Sequence, residues 1–158
     1  MEFSHLLHGS VTTRPAWFDW ETMRATSELL EHTAEVKVRV RAPSFAELVA
    51  EAGRAIARLE LAGAVPPAER AYRDVVVRSP DREALLVDWL NELIWLAETE
   101  SWVPTEFDVH AATDTMLQVR VRGAAVDEAP ARIKAATFHG LKIASTAGGL
   151  EAEVVLDV

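Results

Sequence analysis

Hydrophobic and polar positions alternate strictly over residues 34–41. Val36, Val38 and Val40 fall on one side, and Glu35, Lys37, Arg39 and Arg41 on the other, the period-2 mark of a half-buried strand. Ala42-Pro43 ends the run, and the period then changes. Phe45, Leu48, Val49, Ala52, Ile56 and Leu59 recur at helical spacing. Ser44 and Glu47 precede them as an S-x-x-E capping box. Gly63 stands at the C-terminal cap position, with Pro66-Pro67 beyond it. A short strand is expected over 73–78, around Val75, Val76 and Val77. Ser79-Pro80 then opens a second helix, serine as cap and proline at the first helical position, running to about Glu98. Leu85, Leu86, Trp89, Leu90, Leu93, Ile94 and Leu96 make it apolar around most of its circumference, so it should be the central core helix.

Alternation returns over 106–111 (Phe107, Val109, Ala111) and 116–122 (Leu117, Val119, Val121), which predicts a hairpin turning at Thr113-Asp114. Residues 123–132 read as a loop. The apolar stretch 133–143 reads mainly as strand. Gly148-Gly149 turns the chain into a last alternating segment, where Leu150, Ala152, Val154, Leu156 and Val158 oppose Glu151, Glu153, Val155 and Asp157. The expected order is β-α-β-α-β-β-β-β: an α+β fold with a mostly antiparallel sheet and two helices.

Residues 1–27 are different. They carry His5, His8, Trp17, Phe18 and Trp20, are broken by Arg14-Pro15, and show no sustained period. They read as a partly ordered N-terminal extension, or as an aromatic anchor for this domain or a partner. The domain proper is residues 28–158. A total of 158 residues suits one such domain with a real core.

Composition removes several function classes. There is no cysteine, which excludes disulfides, thiolate catalysis and cysteine-ligated metals. Sixteen basic against twenty-five acidic residues gives a net charge of −9, the wrong sign for general nucleic-acid binding, so no direct stable nucleic-acid complex is expected. No apolar run approaches the roughly 18 residues of a membrane span, and no secretory signal is visible. A cytoplasmic protein without membrane contact is the expectation. Glycine-rich phosphate loops, G-x-S-x-G elbows and H-E-x-x-H helices do not occur.

The candidate chemistry is sparse. Glu35 opens the first strand next to His32-Thr33. Asp157 is penultimate, one step before Val158. Lys134 begins the segment Lys134-Ala135-Ala136-Thr137-Phe138-His139. Periodicity alone reads these charges as solvent-facing. An acidic cluster of oxygen ligands would suit a hard cation such as calcium or magnesium, but spacing does not show whether Glu35 and Asp157 meet. His32 and His139 read as hydrogen-bonded structural histidines, and a histidine zinc site lacks any spacing signature. In the core helix, Asp88 and Glu92 share a face with Asn91 between them. Buried polar groups need partners, so this strip should tie the helix to loops.

Four motifs, in order, carry a family resemblance. Glu31-His32-Thr33-Ala34-Glu35-Val36 resembles the E-H-T-A-D-V opening of the archease family. Leu85-Leu86-Val87-Asp88-Trp89-Leu90-Asn91-Glu92-Leu93-Ile94 resembles its L-L-V-D-W-L-N-E-L-L helix. Lys134 to Leu141 resembles its K-A-(V/A)-T-(Y/F)-H-x-L segment, and Val154-Val155-Leu156-Asp157-Val158 its terminal V-x-L-D-(I/V). Together they span all but the first 27 residues. The resemblance implies an elaborated strand-helix-strand-strand fold. It also implies an accessory protein, not an enzyme, that serves an RtcB-type RNA ligase in tRNA splicing or RNA repair. That ligase joins 2′,3′-cyclic phosphate or 3′-phosphate ends to a 5′-hydroxyl after attaching GMP to its own histidine, with GTP and manganese. The accessory protein promotes that guanylylation and sustains turnover.

The resemblance further implies a divalent cation, calcium first, with magnesium or manganese as the other candidates. Its ligands would be Glu35, Asp157 and a carboxylate or carbonyl oxygen of Val158; Lys134 takes the place of the functional lysine. Glu35 stands where the motif has aspartate, one methylene further out, a change that calcium tolerates better than magnesium. His32, Thr137 and His139 would support the site, although strand periodicity sets Lys134 on the opposite face from Thr137 and His139. A bulge or a helical turn there would remove the conflict. Two other functions stand beside this one: a metal-dependent phosphohydrolase built on the same residues, using Lys134 on a phosphate, and a chaperone-like scaffold docking through the aromatic extension.

Overall fold

The computed structural model describes residues 24–31, 35–127 and 133–158. Among the described residues, eight strands and two helices follow in the order β1 (Thr26–Glu31), β2 (Glu35–Ala42), α1 (Phe45–Glu60), β3 (Tyr72–Arg78), α2 (Arg82–Glu100), β4 (Trp102–Ala112), β5 (Met116–Ala125), β6 (Ala135–Thr137), β7 (Ile143–Thr146) and β8 (Gly149–Asp157). All pairings are antiparallel. The larger sheet has the order β1-β2-β8-β6, with β7 also on β8. The smaller has the order β3-β5-β4. The α+β architecture with two helices is the one expected from the sequence.

One core joins both helices to both sheets. Val38, Val40 and Ala42 from β2 and Ala152, Val154 and Leu156 from β8 point inward, against Leu48, Val49, Ala52 and Ile56 of α1. Trp89 of α2 lies at the centre, fully buried. Its indole N–H donates to Val49 O at 3.0 Å, and its ring meets Phe107 of β4 edge-on at 5.8 Å. Burial satisfies both needs of tryptophan, apolar contact and a partner for its N–H. Phe107 reaches in over Gly53, where an added Cβ would stand 2.9 Å from the ring's Cζ. The missing side chain is what lets α1 approach β4.

Several local expectations change. Residues 1–27 read as an extension, yet β1 starts at Thr26. No alternation marks this strand, because Leu29 and Leu30 are adjacent. It is held by pairing with β2 and by the Ser27 hydroxyl, which donates to the buried Glu51 of α1 at 2.9 Å. His5, His8, Trp17, Phe18 and Trp20 lie outside the described residues, as does His32. The second helix begins at Arg82. Asp81, not Ser79, is its cap, accepting from Ala84 N at 2.8 Å, while the Ser79 hydroxyl bonds Asp88. A carboxylate two residues nearer the helix wins the free amide.

At the end of α1 the left-handed conformation begins at Ala62 (φ 52°), one before the expected Gly63, which has φ 89°; Gly63 N reaches back to Arg58 O at 2.8 Å. This is the six-to-one bond of a Schellman motif. β5 continues through residues 123–125, which were expected to be loop. Gly123 allows it, since β4 backbone passes within 2.4 Å of where its Cβ would be. Residues 133–143 hold only the three-residue β6 and the first residue of β7, separated by a turn at Phe138–Leu141, where Leu141 N bonds Phe138 O and Gly140 takes φ 65°.

Candidate functional site

The outward face of β2 and β8 is a row of cross-strand pairs. Arg41 stands opposite Glu151, Arg39 opposite Glu153, and Lys37 opposite Val155. The first two are ion pairs. Arg39 reaches Glu153 at 2.6 Å and Glu28 of β1 at 3.6 Å, and its hydrogen bond to the Glu153 carboxylate raises its pKa above the ordinary guanidinium range. These pairs match opposite charges across the ladder.

The fourth pair breaks the rule. Glu35, first in β2, stands opposite Asp157, last in β8. Residues directly opposed on antiparallel strands share a face, about 4.5–5.5 Å apart at Cβ, and like charges there are destabilising. Asp157 is exposed and Glu35 half-buried, with no arginine or lysine in ion-pair contact with either among the described residues. Among the described residues the sheet end therefore carries two carboxylates with no ion-pair partner. Asp157 is also opposite Ala135, the first residue of β6, so β2, β8 and β6 all end in one row.

Lys134 immediately precedes β6. Its main-chain N–H donates to Asp157 O at 2.8 Å, and its side chain is exposed. The structure thus brings together Glu35, Asp157 and the main chain of Lys134, with Val158 next in the chain. Thr137 and His139 lie at the other end of β6. The Thr137 hydroxyl donates to Val155 O at 3.2 Å and accepts from His139 N at 3.4 Å, and the His139 ring is exposed in the turn. Since the strand stops at Thr137 and a turn follows, strand periodicity does not set the face of His139.

The donor set fits a hard divalent cation. Two carboxylates and main-chain oxygens are the ligands that calcium and magnesium take. Among the described residues no three His, Asp or Glu side chains converge, so further donors would be main-chain oxygens such as that of Val158, or water.

Sequence reasoning missed the devices that hold β6. Asn91 of α2 bonds both polar groups of Ala136: its Nδ2 donates to Ala136 O at 3.1 Å, and its Oδ1 accepts from Ala136 N at 2.8 Å. Glu60, buried at the end of α1, accepts from Ile133 N at 3.2 Å, and Glu83 of α2 accepts from Ile143 N at 3.0 Å. The signal for Asn91 was a polar residue in an otherwise apolar helix. It was read as a tie to loops; the partner is a strand.

Comparison with known proteins agrees with this architecture. Residues 28–158 match the Archease protein family. The archease of Methanosarcina mazei is 32% identical over 139 residues, covering 83% of this chain and 94% of that protein. The archease of Methanopyrus kandleri is 31% identical over 140 residues, covering 83% and 98%. The solution structure of Methanobacterium thermoautotrophicum protein 1598 superposes with a TM-score of 0.63 at 25% identity, covering 84% of this chain and 98% of that one. A Thermotoga maritima structure described as an archease, possible chaperone, shares the fold with a TM-score of 0.53 at 22% identity, covering 82% and 94%. With its fold and matches along nearly its whole described length, the chain belongs to the archease family.

Proposed function

We propose that this protein is the activator of an RtcB-type RNA ligase, promoting attachment of GMP to the ligase histidine and so sustaining turnover. Family membership supports an accessory rather than an enzymatic role. The observation that carries the reading is the Glu35–Asp157 pair, a like-charged row on a face where Arg39–Glu153 and Arg41–Glu151 match opposite charges. An unneutralised dicarboxylate costs stability and so calls for a functional reason.

Glu35, Asp157 and the main-chain oxygen of Val158 would hold the cation, calcium first. When bound, the ion supplies a fixed positive centre at the end of the sheet and cancels the repulsion between the two carboxylates. Lys134, immediately before the neighbouring strand β6, adds a second, protein-borne positive charge on a long flexible arm. The pair of carboxylates and the lysine together offer oxygens and an ammonium to a partner's active-site mouth, where guanylyl transfer depends on placed charge.

The test follows GMP attachment to an RtcB-type ligase from the same source, with GTP and manganese, in the presence and absence of this protein. The wild type should accelerate it. Asp157→Ala and Lys134→Ala should each remove at least about tenfold of that acceleration, or about 1.4 kcal/mol. Full stimulation by both variants would refute the assigned residues. No stimulation by the wild type would refute the function and favour a scaffolding role.

A further inference from the structure

β6 is only three residues long and pairs with β8 along one side. On the other side the carboxamide of Asn91 takes the place of a strand, giving one donor and one acceptor to Ala136. An uncharged amide is the side chain that can answer both groups of a peptide unit at once. Ala136 is buried, so water does not compete for those groups. Two residues earlier, Lys134 donates its N–H to Asp157 O, and one before that, Ile133 N is held by Glu60. The main chain at Lys134 is thus fixed from α1, from α2 and from β8, while its side chain is exposed.

We infer that Asn91 is a positioning residue for Lys134. By closing the open side of β6 it keeps the strand seated on β8, and so sets where the ammonium stands relative to the Glu35–Asp157 row. The inference rests on the ligase-activating role proposed above. It gives the polar residue of the core helix a specific task, reaching the site through Ala136 without touching a partner.

Asn91→Asp preserves the size and the acceptor for Ala136 N but removes the donor and sets a negative charge against Ala136 O. It should lower maximal stimulation of ligase guanylylation by about tenfold. Introduced into Lys134→Ala, it should cause no further loss, because its effect passes through that lysine. Hydrogen exchange should accelerate at the amides of Lys134 and Ala136 and stay unchanged in the centre of α1. Glu83→Ala loosens the same segment at Ile143, away from Lys134, and should stimulate like the wild type. Equal losses from Asn91→Asp in both backgrounds, or an equal loss from Glu83→Ala, would mean general loosening and overturn the inference. So would wild-type stimulation by a folded Asn91→Asp. If Asn91→Asp does not fold, Asn91→Ala is judged by the same criteria. If the wild type itself gives no stimulation, the functional reading has failed separately. Exchange then decides alone: faster exchange at Lys134 and Ala136 supports the anchoring, and unchanged exchange overturns it.

Discussion

Glu35 faces Asp157 directly across the β2–β8 ladder, each at the terminal position of its strand. Two rows further along the same face, Arg39 faces Glu153 and the charges cancel. The same backbone geometry therefore produces an ion pair in one place and a repulsive pair in another. Only the residue types differ, and the repulsive pair lies at the sheet's end, where ligands can approach.

Calcium titration should read this difference. The wild type should bind calcium and melt at a higher temperature with it than in chelator. Asp157→Asn and Glu35→Gln should each weaken binding by about tenfold or more, or about 1.4 kcal/mol. Glu35→Asp should bind at least as well as the wild type. In chelator the order reverses: Glu35→Gln removes a like-charge pair and should be more stable by about 0.2–1 kcal/mol. A melting temperature indifferent to calcium would sink the cation assignment.

Gly53→Ala should destabilise the fold, against the usual trend. Within a helix this change ordinarily gains about 0.5–1 kcal/mol. Here the new Cβ would stand 2.9–3.1 Å from three atoms of the Phe107 ring, which is itself packed edge-on to Trp89. Overpacking of this kind costs about 1–3 kcal/mol. Denaturant midpoints measure it, and Phe107→Leu in the same chain should recover part of the loss. A higher midpoint for Gly53→Ala alone would show that the ring moves aside at no cost.

Ala62→Gly should stabilise the protein. Ala62 holds φ 52° at the end of α1, a conformation that glycine adopts without the Cβ penalty. The expected gain is about 0.5–1 kcal/mol, or a rise in melting temperature of about 1–4 °C for a chain of this size. Gly63→Ala, at φ 89°, should move it the other way. A fall on Ala62→Gly would contradict the Schellman geometry at this helix end.

Much of the fold was legible because its determinants are local. The alternation of Val36, Val38 and Val40 assigns the inward face of β2, and the core confirms it for Val38 and Val40. The period of Phe45 to Leu59 locates α1, and the apolar girth of residues 85–96 locates α2 at the centre. Where the reading failed, a longer-range bond had displaced the local preference. β1 has no period of its own and exists through β2 and Glu51. The stretch 133–143 is apolar enough for one strand, but it turns at Gly140, and Glu60, Asn91 and Glu83 bond its main chain on the far side from β8.

The candidate site divides the same way. The sequence by itself determined that Glu35 and Asp157 point away from the core, because two-residue periodicity needs only a residue's immediate neighbours. It also marked Asn91 as a polar group in need of a partner. Only the tertiary structure decided that Glu35 and Asp157 share a row, because strand register is a relation between distant segments that no local period encodes. The same holds for Lys134. Its place beside that row depends on β6 pairing with β8 and on an amide contributed by α2, and packing of the whole core brings those elements together.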